Sequence, residues 1–363
     1  MECLQRHTWN EHTKEALLAL KIETPDETVR RQVLKNWDSI AKPLDGMGRF
    51  ETLTAQIGAI TGDTGVVIGK KAVIIMCADN GIVAEGISQS GQEVTAAVAR
   101  EMTRKESSVG RMAGVIGADT IPVDIGINGK QTIDGMVMRK VRCGTRNFCI
   151  EPAMTEEEAV AAIWVGIELV AECKASGYQI LATGEMGIGN TTTSSAVAAA
   201  FLDCEVEEVT GRGAGLSEEG LLKKKRIIKA ALKKYDLKHA DALRVLETVG
   251  GLDIAGLAGV CIGGALCHVP IVLDGVISLV AALIAEELVP GVREYLIASH
   301  RGKEPAIAKL SERLLLYPII DGALALGEGT GAVMMFALLD MALAVYQGQT
   351  TFSDIQVEQY TRF

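Results

Sequence analysis

The order of apolar and polar positions divides the chain into helical and extended stretches. Residues 13–40 read as helix, with Leu17, Leu18, Leu20 and Ile22 in one stretch and Val29, Val33, Leu34, Trp37 and Ile40 in the next. A polar loop, Lys42 to Glu51, leads into a further helix. The period then changes. Ala72 to Ala78 is a continuous apolar run ending at Asp79-Asn80-Gly81, the pattern of a strand buried on both faces. Similar runs recur at Thr120 to Ile125, Gln179 to Ala182 and Val269 to Leu273, with helical segments at 93–104, 155–175, 191–202 and 217–234. Thr155 with Glu158 three residues on reads as a capping box. This alternation predicts an α/β fold with a mostly parallel sheet and flanking helices. The C-terminal third reads as mostly helical apart from the Val269 to Leu273 run. The apolar stretch Ile254 to Leu288 is broken by His268, Pro270 and Asp274 into helix, strand and helix, so no membrane span is expected.

Composition narrows the picture. In 363 residues, 48% apolar and 23% charged content suit a packed chain rather than a disordered one. The net charge of −10 argues against a general nucleic-acid surface, which needs a basic excess. The 39 glycines point to turns and close backbone approaches. Eight cysteines show no CxxC and no zinc spacing, and most lie in apolar runs. They read as free thiols in a reducing compartment, and the polar N-terminus carries no signal pattern, so a cytoplasmic location is expected. No metal or cofactor is expected.

Ligands of open α/β sheets bind beyond the carboxyl ends of the strands. Four stretches fall there: Asp79-Asn80-Gly81 with the polar loop after it, Thr183 to Thr192, Thr210 to Ser217, and Leu326 to Gly331. In the second, glycines lead into a helix N-terminus, which suits a phosphate and equally suits a structural turn. It matches neither a Walker A loop nor the dinucleotide fingerprint. The third adds Arg212 and, on the following helix, Lys223, Lys224 and Lys225; such a run is usually a solvated face, with one lysine reaching a phosphate as the alternative. Glu185 and Glu328 each stand beside glycines, either as helix N-terminal carboxylates or as groups in a glycine-lined pocket. Two carboxylates with a phosphate cradle suit transfer at the anomeric carbon of a sugar phosphate. His7, His12 and His239 read as exposed helical residues, His268 as structural, and His300 as a loop residue that is either structural or in reach of a ligand.

Taken together, eight segments resemble the nicotinate-nucleotide:dimethylbenzimidazole phosphoribosyltransferases from about Lys42 to Ile355. They are ADNGIVAEGIS with QEVT (78–95), GTRNF with PAMT (144–155), GEMGIGNTT (184–192), GRGAGLSEEGLLKK (211–224), VGGLDIAGLAG (249–259), PIVLDG (270–275), ASHRGKEP (298–305) and LGEGTGA (326–332). The resemblance implies a Rossmann-like parallel domain over 61–299 and a small helical domain from 1–60 and 300–363, usually as a homodimer. It implies transfer of 5-phosphoribosyl from nicotinate mononucleotide to an aromatic base, giving α-ribazole 5′-phosphate and nicotinate in cobalamin biosynthesis. Glu328 then matches the general base and Glu185 the second catalytic carboxylate. Gly187, Gly189, Asn190, Thr191 and Lys224 match the phosphoribosyl site, Lys223 or Lys225 replacing Lys224 if the register slips. Ser88, Gln92 and Met186 match the base pocket, and Ser299 and His300 would lie near nicotinate. Asn80 stands where relatives often have histidine, and KPLDGMG replaces their commoner KP-x-x-S-L-G, so the acceptor base stays open. Some relatives use purines, or phenols as paired non-identical subunits. A non-catalytic partner subunit and a hydrolase of the sugar phosphate are the rival readings; Glu328 and the intact GEMGIGNTT stretch argue against the first.

Overall fold

The computed structural model describes residues 12–202, 204–348 and 350–362. His7 and Cys3 lie outside the described residues. The stretch 13–40 is two helices rather than one: α1 (Lys14–Leu18) and α2 (Glu27–Ser39). Pro25 cannot continue a helix, and Asp26 starts a new one by accepting from the N–H groups of Thr28 at 2.8 Å and Val29 at 3.0 Å. Next come α3 (Arg49–Thr61), β1 (Lys71–Ala78), a 3₁₀ turn at Gly81–Glu85, α4 (Glu93–Thr103), α5 (Ser108–Val115), β2 (Asp119–Gly126) and the two-residue β3 (Val137–Met138). The capping box of Thr155 and Glu158 opens α6 (Glu156–Ala175). β4 (Ile180–Met186) and α7 (Asn190–Phe201) follow, then α8 (Val206–Val209), α9 (Glu218–Lys234) and α10 (Ala242–Val249). The long apolar stretch is α11 (Leu252–Leu266), β5 (Ile271–Leu273) and α12 (Val276–Leu288).

The remainder holds more strand than the mostly helical expectation. It holds β6 (Leu296–Ala298), β7 (His300–Gly302), α13 (Ala306–Leu314), β8 (Ile320–Leu324) and α14 (Thr330–Gly348). Strands of three residues are too short to show a period of two, and β8 is largely exposed, so neither leaves a clear sequence pattern. His12 precedes α1 and stacks on Trp164, and His239 sits in a turn at φ +66°, so neither is helical. None of the described cysteines is in a disulfide; Cys77, Cys173, Cys261 and Cys267 are buried and Cys143 is exposed.

Six strands pair in the order β3-β2-β1-β4-β5-β6, every neighbouring pair parallel. The order reverses between β1 and β4, so the crevice expected of such a sheet lies at the carboxyl ends of these two strands. All eight residues of β1 are buried. Ala72, Ile74 and Met76 face a layer containing α6, α7 and α9 to α12; Val73, Ile75 and Cys77 face a layer containing α2 to α5 and α14. β7 and β8 form a separate parallel pair. The two chain ends meet where Trp37 packs on Tyr346, 5.0 Å between ring centroids, and Ile40 bridges to Thr351. Among described helices, α14 alone is long and apolar enough to cross a membrane; it buries Met335, Phe336 and Leu339 in the second layer and exposes Met334, Met341 and Val345.

Candidate active site

A cavity of about 300 Å³ opens beyond β4 and β5. Its wall includes Glu185, Met186, Gly187, Asn190, Thr191, Asp274, His300 and Glu328, with Val98 from α4 and Leu326 from the loop before α14. The segments 184–192 and 326–331, separate in sequence, meet because glycines let them touch. A Cβ on Gly184 would collide with the main-chain oxygen of Glu328, and one on Gly329 would lie 3.2 Å from the Cα of Gly184. The first glycine of the GEMGIG stretch thus serves loop-to-loop contact. A Cβ on Gly331 would meet the His300 ring, which explains a third glycine.

Glu328 lies in a left-handed conformation at φ +62°, between Gly327 at +84° and Gly329 at +98°. Its Oε2 accepts from the N–H of Val109 at 3.0 Å, in the first turn of α5. The carboxylate therefore faces the N-terminus of α5 rather than of its own helix α14, and Glu328 is among the residues that line the cavity. Asp274, at the end of β5, accepts from the N–H groups of Gly329 at 3.1 Å, Gly331 at 2.8 Å and Ala332 at 3.3 Å.

Glu185 is the penultimate residue of β4. Burial pushes its pKa up to about 8 against the Asn190 amide, which donates to it; the Asp253 and Asp274 charges raise it further. The same amide nitrogen donates to Asp253 Oδ2 at 3.2 Å. Burial likewise raises Asp253 to about 6 and Asp274 to about 7, in each case against hydrogen bonds that favour the anion. Burial lowers the His300 pKa.

Lys224 is fully buried while Lys223 is exposed. Its Nζ donates to Thr191 Oγ1 at 3.0 Å and to the Gly211 oxygen at 3.2 Å, joining the start of α7 to the 210–216 loop. Burial draws it down to about 8, and Glu304 works in the opposite direction. Glu304 Oε1 accepts from Gly213 N–H at 2.9 Å. Several N–H groups at the start of α7 are already paired: Ile188 with Thr95 Oγ1 at 3.2 Å, Asn190 with the Gly187 oxygen and Thr192 with the Gly189 oxygen.

Other sequence-selected residues sit elsewhere. Ser88 lines a smaller cavity of about 70 Å³ beside Arg212, which shares Gly187, Asn190 and Thr191 with the larger one. Gln92 turns toward the Asn80 oxygen at 3.1 Å and Asn128 at 3.0 Å. Ser299 is buried behind the wall, its hydroxyl on the Asp274 oxygen at 3.2 Å and 3.0 Å from His300 Nδ1. Asp253 and Asp274 are site residues that sequence reasoning misses. Both carry a usable signal: each is an isolated charge in an apolar run, and a buried charge demands partners.

Comparison with known proteins shows the family. A family model described as phosphoribosyltransferase matches residues 22–357. The chain is 45% identical to the nicotinate-nucleotide–dimethylbenzimidazole phosphoribosyltransferase of Acetivibrio thermocellus, covering 93% of this chain and 95% of that one. It is 42% identical to the enzyme of the same name from Geobacter sp. (strain M21), covering 93% and 97%. The crystal structure of CobT from Thermus thermophilus superimposes with a TM-score of 0.87 at 36% identity, over 92% of this chain and all of that one. A parallel sheet with its cavity beyond the carboxyl ends of β4 and β5, and relatives alike over nearly the whole chain, lead to one conclusion: the chain belongs to the phosphoribosyltransferase family, as an enzyme of the nicotinate-nucleotide–dimethylbenzimidazole type.

Proposed function

We propose that the chain moves the 5-phosphoribosyl group of nicotinate mononucleotide to a benzimidazole-type base, a step in cobalamin biosynthesis. The observation that carries this reading is one cavity walled by both Glu185 and Glu328, with the buried cation Lys224 behind Thr191. The C1′–N bond of the nucleotide breaks, and its electron pair goes to the pyridinium nitrogen, so nicotinate leaves with a neutral ring. A ring nitrogen of the base bonds to C1′. The proton of the base passes to Glu328, whose carboxylate is held by Val109. Lys224 and Thr191, with Gly187, Gly189 and Asn190 around them, take the phosphoribosyl end. Met186 and Val98 supply apolar wall for the base.

Glu185, with a pKa near 8, keeps its proton near neutrality in the free protein. The positive pyridinium ring of the bound nucleotide favours its ionised form, so the carboxylate becomes an anion where the ribosyl centre turns positive. Ser88, in the adjoining small cavity, belongs with the substrate-binding surface, while Ser299 supports His300 from behind. A homodimer completes the reading, supported by the exposed apolar stripe Met334, Met341 and Val345 on α14 and tested by light scattering.

The test is purified protein with nicotinate mononucleotide, with and without a panel of acceptor bases, read by product mass. Base-dependent nicotinate release with a ribosylated base 5′-phosphate supports the proposal. Nicotinate release without acceptor indicates hydrolysis, and no release under any condition indicates a non-catalytic subunit.

A further inference from the structure

We propose that Asp274 is a positioning residue for catalysis: from the end of β5 it holds the backbone of the Gly327–Gly329 turn so that Glu328 is aimed into the cavity. The proposal rests on the reading of Glu328 as proton acceptor.

A helix usually has its first N–H groups capped by a side chain just before it in sequence. The residues before α14 are Gly327, Glu328 and Gly329, and none of them caps it. Thr330 Oγ1 turns back to the Gly327 oxygen at 2.9 Å. The acceptors come instead from another element. Asp274 Oδ2 takes Gly329 N–H at 3.1 Å, and Oδ1 takes Gly331 at 2.8 Å and Ala332 at 3.3 Å. Asp274 is itself fixed: its N–H donates to Thr183 Oγ1 at 3.3 Å, and its main-chain oxygen accepts from Ser299 at 3.2 Å. It is 4% exposed.

This arrangement serves a glutamate in a left-handed conformation, which a side chain with a Cβ rarely adopts without support. A local serine or aspartate could cap α14, but it would replace a residue of the turn that carries Glu328. Capping from β5 leaves the turn free. Glu328 then has two anchors: its carboxylate on α5 through Val109, and its backbone on β5 through Asp274. The second anchor sets where the carboxylate starts from.

The experiment compares Asp274→Asn, Glu328→Gln and the double variant for kcat, nucleotide Kd and melting temperature. Asn keeps the shape but puts an NH₂ among three N–H donors. Displacement of a catalytic group by about 1 Å typically costs about 10²-fold, so D274N should lower kcat by about that factor, with Kd changed by less than about threefold. The double variant should be no slower than E328Q alone, because a misplaced Gln loses nothing more. Multiplying effects, an unchanged kcat in D274N, or a Kd loss as large as the kcat loss would overturn the proposal. If D274N fails to melt cooperatively, Asp274→Ser, which retains one acceptor, takes its place; failure of both assigns Asp274 to the fold and overturns the proposal as well. An E328Q variant with full kcat would instead remove the reading of Glu328 on which the proposal stands.

Discussion

Glu185 and Glu328 occupy look-alike sequence settings, each next to glycine and a few residues before a helix rich in small side chains, and their surroundings differ. Glu185 lies in the last two residues of a strand, shares the Asn190 amide with Asp253, and is pushed up to about 8 by burial. Glu328 rides a turn of three left-handed residues, and its carboxylate meets a helix N-terminus at Val109. The helix after Glu185 pairs its first N–H groups within its own loop, through the Gly187 and Gly189 oxygens. The helix after Glu328 receives Asp274 from another strand. A glycine-flanked glutamate is therefore not one kind of group. Glu185, buried and crowded by Asp253 and Asp274, is raised toward its protonated form, whereas the Glu328 carboxylate is held in place by the Val109 N–H at the start of α5. That division assigns charge stabilisation to Glu185 and proton acceptance to Glu328.

The comparison can be broken at several points. Glu328→Gln should lower kcat by about 10²–10⁴-fold, the usual worth of general-base assistance, and by more than Glu185→Gln does; equal losses in steady-state assays would erase the distinction. Lys224→Ala should raise the nucleotide KM by about ten- to a hundredfold and leave the acceptor KM nearly unchanged, as loss of a charge-assisted contact of about 1.5–3 kcal/mol requires. Gly184→Ala pushes the Glu328 turn off β4, and denaturant unfolding should show a loss of about 1–3 kcal/mol from overpacking.

Proton uptake and release give a finer test. Nucleotide binding near pH 7 should release protons as the pyridinium draws Glu185 below its value of about 8. Calorimetry in buffers of different ionisation enthalpy measures the release, and Glu185→Gln should reduce it. Stability should follow the same groups. Glu185, Asp253 and Asp274 are raised in the folded protein to about 8, 6 and 7, so the folded state binds protons that the unfolded chain has lost. Their stabilising contribution is full below the unfolded carboxylate range, about pH 4, and is lost as pH rises through about 6 to 8. Lys224, lowered to about 8, acts oppositely, its penalty easing only above that value. Melting temperature of the ligand-free protein should fall between about pH 6 and 8, less steeply in Glu185→Gln. A chelator should have no effect on turnover, since the leaving nicotinate needs no charge neutralisation; a loss restored by added Mg²⁺ or Zn²⁺ would contradict this.

Much of the frame is legible in the sequence because buried parallel strands such as Ala72 to Ala78 are continuous apolar runs and the capping box at Thr155 marks its helix. Strands β6 to β8 are not, being short or exposed. The choice among three lysines is decidable in principle, since Lys224 falls in register with the buried Leu221, Ile228 and Ala231 of α9. Gln92 shows the opposite limit: its neighbours, Asn80 and Asn128, come from separate segments that no local pattern brings together. Asp253 and Asp274 announce themselves only as charges inside apolar stretches, and which groups they serve depends on strand order.

The most direct test of the division of roles is a single-turnover reaction of the enzyme–nucleotide complex with saturating dimethylbenzimidazole, following nicotinate release and ribosylated base together in wild type and Glu328→Gln. Both signals should appear in step in the wild type, and both should slow together by about 10²–10⁴-fold in the variant while bound nucleotide stays intact. Wild-type rates in Glu328→Gln, accompanied only by a stability loss of about 0.3–1 kcal/mol from the lost contact with the α5 N-terminus, would contradict that division and leave Glu328 a capping residue.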